Sequence, residues 1–316
     1  MLLYQDFGGC SSYRLGEQKR TLIITMNKRL IILALTLLCV SAFPYKIYAD
    51  DETKKEYGIS LEVGADLVSS YLWRGYNLGG LSIQPSVTFG WNGLYLCGWA
   101  NIGADNWTFQ ELNPELDITI GYDNYGFQLD LTHLYYFGGE KYLFGINDPN
   151  NAFGSSSMEL HAGINVGEWV EKVPLTFDWY TTILGYDPVL DKAGNVEVNN
   201  NGNAKRAYST YIQVGYDFHL PLDIVLGLKL GFTPWKGMYS DYEEVWTNGN
   251  NIGFNNIQLR AEREFELGHL YINVWGEAMF NCYGVNKNNI INTIANAGSQ
   301  KLNGCIGVGV YFGNEW

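Results

Sequence analysis

The sequence is poor in cysteine, proline and basic residues. Its 316 residues include five Cys and eight Pro, and 20 Lys and Arg stand against 33 Asp and Glu. Beyond residue 49 only Cys97, Cys282 and Cys305 remain, and no CxxC pair occurs. An odd number of scattered cysteines indicates neither a disulfide framework nor a zinc site. A formal net charge of −13 argues against nucleic-acid binding, because phosphates require a basic footprint.

Long hydrophobic runs are also missing, apart from one near the N-terminus. Basic residues at 27–29 precede an apolar stretch at 30–40, and small residues follow before an acidic segment. This order is typical of a secretory signal peptide, and the run is too short for a transmembrane helix. A lipoprotein signal at Cys39 is the weaker alternative, because Leu38 is bulky where such signals carry a small residue.

These features divide the chain into three parts. Met26 begins a better signal than Met1 does, and Ala49 offers a cleavage position before the acidic segment. We therefore expect residues 1–25 to be an upstream extension, 26–49 the signal peptide, and 50–316 a single outer-membrane domain.

Motifs of the common enzyme classes are absent too. The sequence has no G-x-S-x-G, GxxxxGK or HExxH. A lipase or acyltransferase on a membrane barrel needs a Ser and a His together at the lipid boundary. His133 has the apolar parity of its segment, whereas Ser82 and Ser209 have the opposite one. The sequence therefore predicts that the protein is not an enzyme and has no catalytic residues, cofactor or metal.

What the sequence does contain is alternation of apolar and polar residues. In the last segment, 302–312, the even positions are mostly apolar and the odd ones are Asn, Cys, Gly and Tyr. A period of two marks a β-strand, because successive side chains point to opposite faces. A strand this apolar needs partners on both edges. Pairing with the first strand would close a barrel, the β-structure that spans a membrane without unpaired backbone groups.

Twelve such segments occur between Ile59 and Phe312, and their connections alternate in length. Five are short, as at Asn92-Gly93 and 123–124, whereas six, such as 185–206, are longer and rich in Asn and Gly. Outer-membrane barrels have short periplasmic turns and longer extracellular loops. We predict an all-β fold, a 12-stranded antiparallel up-and-down transmembrane β-barrel in the bacterial outer membrane with both termini periplasmic.

Aromatic residues lie near the ends of the predicted strands, where a membrane interface favours them. Aromatic residues also favour strands in general, so this signal is the weaker one. The residues concerned are Trp91, Tyr122, Tyr125 and Phe218 near short turns, and Tyr71, Trp73, Tyr135, Phe137 and Trp235 near long connections.

Residues 69–78, Ser-Ser-Tyr-Leu-Trp-Arg-Gly-Tyr-Asn-Leu, carry a more specific motif. With the strands around it the segment resembles the start of a TorF-like family of bacterial outer-membrane porins. Those proteins open with a strand, an aromatic-x-aromatic-Arg-Gly turn and a second strand. The resemblance covers about residues 57–91. It implies a one-domain barrel in the outer membrane of a Gram-negative bacterium, with a pore as its activity and no specified substrate.

If the apolar parity faces lipid, the charged residues of the other parity line the lumen. Arg74 is expected near the rim, either reading a ligand carboxylate or phosphate, or neutralised by Glu62 or Asp66. The surplus of acids predicts a lumen that favours cations. The glycines of the inward parity would leave room for water or allow the sheet to curve. The predicted lining residues are Glu62, Asp66, Arg74, Glu115, Asp117, Asp130, Glu159, Asp178, Asp217, Asp223, Lys229, Arg260, Glu262 and Glu277.

The predicted function is a porin-like passive channel for small cationic or neutral solutes. A non-conducting structural or adhesive barrel with ligand-binding surface loops is the alternative, and a barrel lipid hydrolase or acyltransferase is the least favoured. The expected partners are outer-membrane lipid, lipopolysaccharide bridged to acidic loops by divalent cations, and small solutes. The C-terminal strand is expected to engage the barrel assembly machinery.

Overall fold

A computed structural model describes residues 58–103, 115–136, 156–170, 172–185, 187–189, 196–202, 204–237, 239, 253–282 and 301–315. Over these ranges the structure is almost entirely β-strand, with one short 3-10 turn at Val166–Glu168. No helix in the described ranges has the length and apolarity to cross a membrane. The predicted extension, the predicted signal peptide and Phe137 lie outside them.

Twelve strands close into an antiparallel barrel, as the alternation predicted. Strand β1 (Ile59–Val68) pairs with β4 (Ser82–Trp91) on one edge and with β14 (Leu302–Glu315) on the other. The first strand therefore meets the last, and every other wall strand pairs with its neighbours in sequence. Those strands are β5 (Leu94–Gly103), β6 (Glu115–Asn124), β7 (Phe127–Tyr136), β8 (Ser156–Asn165), β9 (Leu175–Gly185), β10 (Thr210–Leu220), β11 (Ile224–Thr233), β12 (Gly253–Leu267) and β13 (Leu270–Phe280).

The outward face of this sheet is apolar. Ile120, Leu129 and Ile306 are 61, 56 and 70 % exposed, and each has the parity predicted to face lipid. Polar residues of the other parity are buried within the barrel, Asp130 and Glu159 among them. The usual arrangement of a globular protein is thus inverted, with an apolar outer surface and a polar interior, as a membrane-spanning barrel requires.

The turn between β10 and β11 shows where the parity rule fails. Leu222 and Asp223 both have positive φ, at 67 and 56°, and the strand begins only at Ile224. The Asp223 side chain is 92 % exposed, with its Oδ2 4.0 Å from an Arg263 nitrogen. The prediction that Asp223 lines the lumen is wrong, because the alternation of faces does not continue through a left-handed turn.

The segment between β1 and β4 is a hairpin instead of a surface loop. Strands β2 (Tyr71–Trp73) and β3 (Tyr76–Gly79) pair only with each other and form a separate two-stranded sheet. Their connection is Arg74-Gly75, with φ of 46 and 92°. Positive φ at both central residues matches the two-residue turn that joins tight hairpins.

Candidate functional site in the barrel lumen

The β2–β3 hairpin folds into the lumen, at the end where the longer connections leave. The Tyr71 ring lies 5.6 Å from that of Trp99 on β5. Towards β13, the Gly75 amide donates to the Met279 sulfur at 3.2 Å. These strands belong to separate parts of the wall, so the hairpin extends across the barrel. Tyr71 and Trp73 therefore lie inside the barrel, and the prediction that they belong to a membrane-facing girdle is wrong.

Arg74, at the tip of the hairpin, reaches the wall strand β8. Its Nη1 and Nη2 donate to the two carboxylate oxygens of Glu159 at 2.5 and 2.7 Å, a two-bond ion pair. The Arg74 and Glu159 side chains are only 11 and 6 % exposed. The predicted neutralising partners, Glu62 and Asp66, are replaced by a residue about half-way round the barrel, because the hairpin crosses the lumen.

Tyr239, which follows β11, completes this ion pair. Its hydroxyl donates to Glu159 Oε2 at 2.5 Å and accepts from Arg74 Nη1 at 2.7 Å. Tyr239 is itself almost fully buried. The pair is thus satisfied by direct hydrogen bonds in a site from which bulk water is excluded.

Four aromatic rings surround the Arg74 guanidinium. Its carbon lies 3.8 Å from the centre of the Tyr180 ring, close enough for a cation–π contact. The rings of Trp73, Tyr211 and Tyr239 lie at 4.7, 5.2 and 5.3 Å. Tyr180 and Tyr211 come from β9 and β10, so β8, β9 and β10 together present one carboxylate and two rings to a single cation.

A second polar cluster lies on the same wall, nearer the short turns. His161 places Nδ1 2.7 Å from Asp130 and Nε2 3.1 Å from Asp178, and its ring stacks on Tyr180 at 4.2 Å. The Tyr95 hydroxyl donates to Asp130 at 2.9 Å. His161 was not among the predicted lining residues, although its inward parity, shared with Glu159, was the signal that could have found it.

A cavity of about 490 Å³ opens beside this cluster. Asp130, Asp178 and Asp217 line it together with His161 and Lys229. Four predicted lining residues thus share one cavity, with three acids against one lysine. Tyr180 lies in the cavity wall as well as beside Arg74, so the cavity and the hairpin site are adjacent.

The remaining predicted lining residues divide between two other parts of the wall. Arg260 donates through Nε to Glu262 at 2.8 Å, lies 3.9 Å from Glu277, and stacks over Trp275 at 4.1 Å. On β1, Asp66 accepts a hydrogen bond from Tyr311. The others keep the predicted inward parity: Glu62 on β1, and Glu115 and Asp117 on β6.

The inward glycines mainly make room for aromatic rings. Gly307 lies opposite Trp275 in the β13–β14 ladder, and a Cβ on it would come within 2.4 Å of that indole. Gly64 has the same relation to Tyr311, at 2.2 Å. Aromatic rings therefore lie flat on the wall, over space that the sequence analysis attributed to water or sheet curvature.

One polar pair lies at outward parity. His133 Nε2 is 2.7 Å from the Ser156 hydroxyl, and both residues are buried. Ser156 is the first residue of β8 and shares the parity of Met158, which pairs with His133. The expectation that no outward-facing Ser lies near His133 is therefore wrong.

Comparisons with known proteins give the architecture and no family. No protein-family model matches the chain, and no curated protein matches it. Solved structures with a similar barrel include an outer-membrane channel from Pseudomonas putida, at TM-score 0.40 and 11 % identity, covering 83 % of this chain and 99 % of that one. The NanC porin gives TM-score 0.39 and 11 % identity, covering 80 and 98 %.

An outer-membrane phospholipase from Salmonella typhi, a dimer with bound calcium, gives TM-score 0.33 and 11 % identity, covering 84 and 94 %. Channels and an enzyme thus share this architecture at similar distances. The resemblance of residues 69–78 to a TorF-like family stays a prediction.

Proposed function

We propose that this protein is an outer-membrane, porin-like channel for small cationic or neutral solutes, with both termini in the periplasm. The observation that carries the proposal is the polar cavity of about 490 Å³ inside a closed barrel with an apolar outer face. A barrel that served only as a structural element would fill its interior with packed side chains.

The charges of the cavity support a preference for cations. Asp130, Asp178 and Asp217 line it against Lys229 and a His161 that two carboxylates already engage. Rings of acidic side chains select cations in channels by their electrostatic potential. Arg74 does not offset this potential for a passing solute, because Glu159 pairs with it directly.

Planar-bilayer recording of the refolded protein in a salt gradient tests both parts of the proposal. We expect discrete conductance and a reversal potential on the cation-selective side. Anion selectivity would contradict the charge assignment. Absence of conductance, including in variants without the hairpin contact, would favour the structural or adhesive barrel.

The His133–Ser156 pair is the specific observation that favours a second candidate, a lipid hydrolase or acyltransferase. A Ser hydroxyl hydrogen-bonded to an imidazole is the first requirement of nucleophilic catalysis. Both side chains are buried, however, and a lipid ester would have to reach them. Release of fatty acid from phospholipid vesicles by the wild-type protein, abolished by Ser156→Ala, would establish this activity. No difference between the two proteins would exclude it.

A further inference from the structure

The Arg74 site consists of a wall pocket and a group that fills it. The wall contributes Glu159, Tyr180 and Tyr211 from β8, β9 and β10, and Tyr239 from the segment after β11. The filling group is a guanidinium, carried on the separate β2–β3 hairpin. Pocket and guest thus come from different elements, as a receptor and its ligand do.

The pocket has the shape and chemistry of a site for a planar cation. Two carboxylate oxygens accept from the two terminal nitrogens, at 2.5 and 2.7 Å, which a guanidinium satisfies and a single ammonium nitrogen does not. The Tyr180 ring covers one face of the cation at 3.8 Å. Edge and face of the guest are thus both recognised.

Turn geometry alone does not explain an arginine at the hairpin tip. Two-residue turns with positive φ at both positions favour Asn, Asp or Gly, and an L-residue with a side chain is less stable there by about 1–2 kcal/mol. Arg74 nevertheless occupies the first position, with φ of 46°. The contacts of its side chain with the pocket offset that cost.

The wall near the pocket also carries more negative charge than Arg74 neutralises. Glu115 and Asp117 on β6 have the same inward parity as Glu159 on β8, with β7 between. The Asp117 Oδ1 atom is buried and accepts no hydrogen bond from the described residues. This unsatisfied carboxylate is a second indication that the wall is suited to cations.

We propose that the pocket formed by Glu159, Tyr180, Tyr211 and Tyr239 is a recognition site for solutes that carry a guanidinium group, and that Arg74 occupies it in cis. A soluble guanidinium compound that enters the pocket displaces the hairpin tip from the wall. The effect of this displacement on conductance depends on the proposed channel function, whereas the binding itself does not.

Methylguanidinium chloride tests the proposal, added to refolded Arg74→Ala protein and followed by saturation-transfer NMR. A ligand of so few atoms is expected to bind with a Kd on the order of millimolar. Binding to the wild-type protein should be at least about tenfold weaker, because Arg74 competes from within the same chain. Methylammonium, which cannot make the paired contact, should bind more weakly than methylguanidinium.

Two further variants make the result specific. Arg260→Ala removes another luminal arginine that lies over an aromatic ring, but leaves the Arg74 pocket filled, so it should resemble the wild type. Adding Glu159→Gln to Arg74→Ala should abolish the binding. If the alanine variant does not refold, Arg74→Gly replaces it, because glycine adopts the positive φ of this turn without strain.

The proposal is overturned if folded Arg74→Ala or Arg74→Gly protein does not bind methylguanidinium. It is equally overturned if Arg260→Ala binds as well as they do, or if methylammonium binds as tightly. Bilayer recording of the same variants separates the two proposals. Binding without conductance would support the guanidinium pocket and contradict the channel, and conductance without binding would do the reverse.

Discussion

Arg74 and Glu159 are 85 positions apart in the sequence and form a two-bond ion pair across the barrel lumen. Arg74 belongs to a hairpin with no backbone pairing to the wall sheet, and Glu159 belongs to the wall itself. The pair therefore connects two otherwise separate sheets. It links the stability of the hairpin to the opening of the lumen, and the first two predictions depend on it.

Removing the carboxylate should destabilise the protein strongly. Glu159→Gln leaves the Arg74 charge buried without a counter-ion, a change that typically costs about 3–5 kcal/mol in the free energy of unfolding. Glu197→Gln is the matched control, since Glu197 pairs with Lys205 at 3.0 Å with both side chains well exposed. Such surface pairs contribute about 0–1 kcal/mol. Urea unfolding in detergent micelles measures both variants, and equal losses would contradict the structural role of the Arg74–Glu159 pair.

Releasing the hairpin should increase conductance. Arg74→Ala removes both hydrogen bonds to Glu159 and the contact with Tyr180, so the hairpin tip loses its attachment to β8 and β9. We expect a larger single-channel current than in the wild type at the same voltage and salt. Lys205→Ala, an exposed change of the same charge, serves as the control. Unchanged current in Arg74→Ala would mean that the hairpin does not restrict the path.

Cation selectivity should depend on the acids of the cavity. Changing Asp130, Asp178 and Asp217 together to Asn removes three negative charges from its lining and should shift the reversal potential towards zero. Asp223→Asn is the matched control, because that side chain is 92 % exposed in a turn outside the lumen. An equal shift in the control would indicate a surface-charge effect instead of a luminal one.

The connection between β9 and β10 should become more stable as the pH falls from neutral. Burial raises the pKa of the Asp187 carboxyl from 3.8 to about 6, although the Ser209 hydroxyl and amide donate to it and act in the opposite direction. A carboxyl whose pKa is raised on folding contributes its stability fully below the unfolded pKa and loses it as the pH rises through the folded value. The gain between pH 7 and pH 4 is on the order of 3 kcal/mol.

Amide hydrogen exchange of residues 204–209, corrected for intrinsic rates, measures this gain. Protection should increase between pH 7 and pH 4. Asp187→Asn, which cannot ionise, should lose the pH dependence. A wild-type protein that is better protected at pH 7 than at pH 4 would contradict the assignment.

The barrel itself could be predicted from the sequence because its cause is local. Alternation of side chains is a property of each strand, and the lengths of the connections can be read directly. The closing of β1 against β14 followed, since an apolar terminal strand needs a partner on each edge. Where the local rule is interrupted, as in the left-handed turn at Leu222 and Asp223, the prediction failed.

The site could be predicted only in part, and for the same reason. Parity indicated which face Asp130, Asp178 and Glu159 occupy, but not which residue each would contact. His161 and Tyr180 become functional candidates only because β7, β8 and β9 bring two carboxylates and a ring around one imidazole. The family resemblance indicated the Arg74-Gly75 turn but not the direction in which it folds.

Taken alone, the amino-acid order determined a closed barrel with an apolar outer surface and an acidic interior, because hydrophobic alternation acts residue by residue. The tertiary structure decided that residues 71–79 turn inward and that Arg74 meets Glu159 instead of Glu62 or Asp66. The physical reason is that an ion pair needs two side chains at hydrogen-bonding distance. That distance depends on how the sheet closes around the hairpin, which no stretch of sequence encodes by itself.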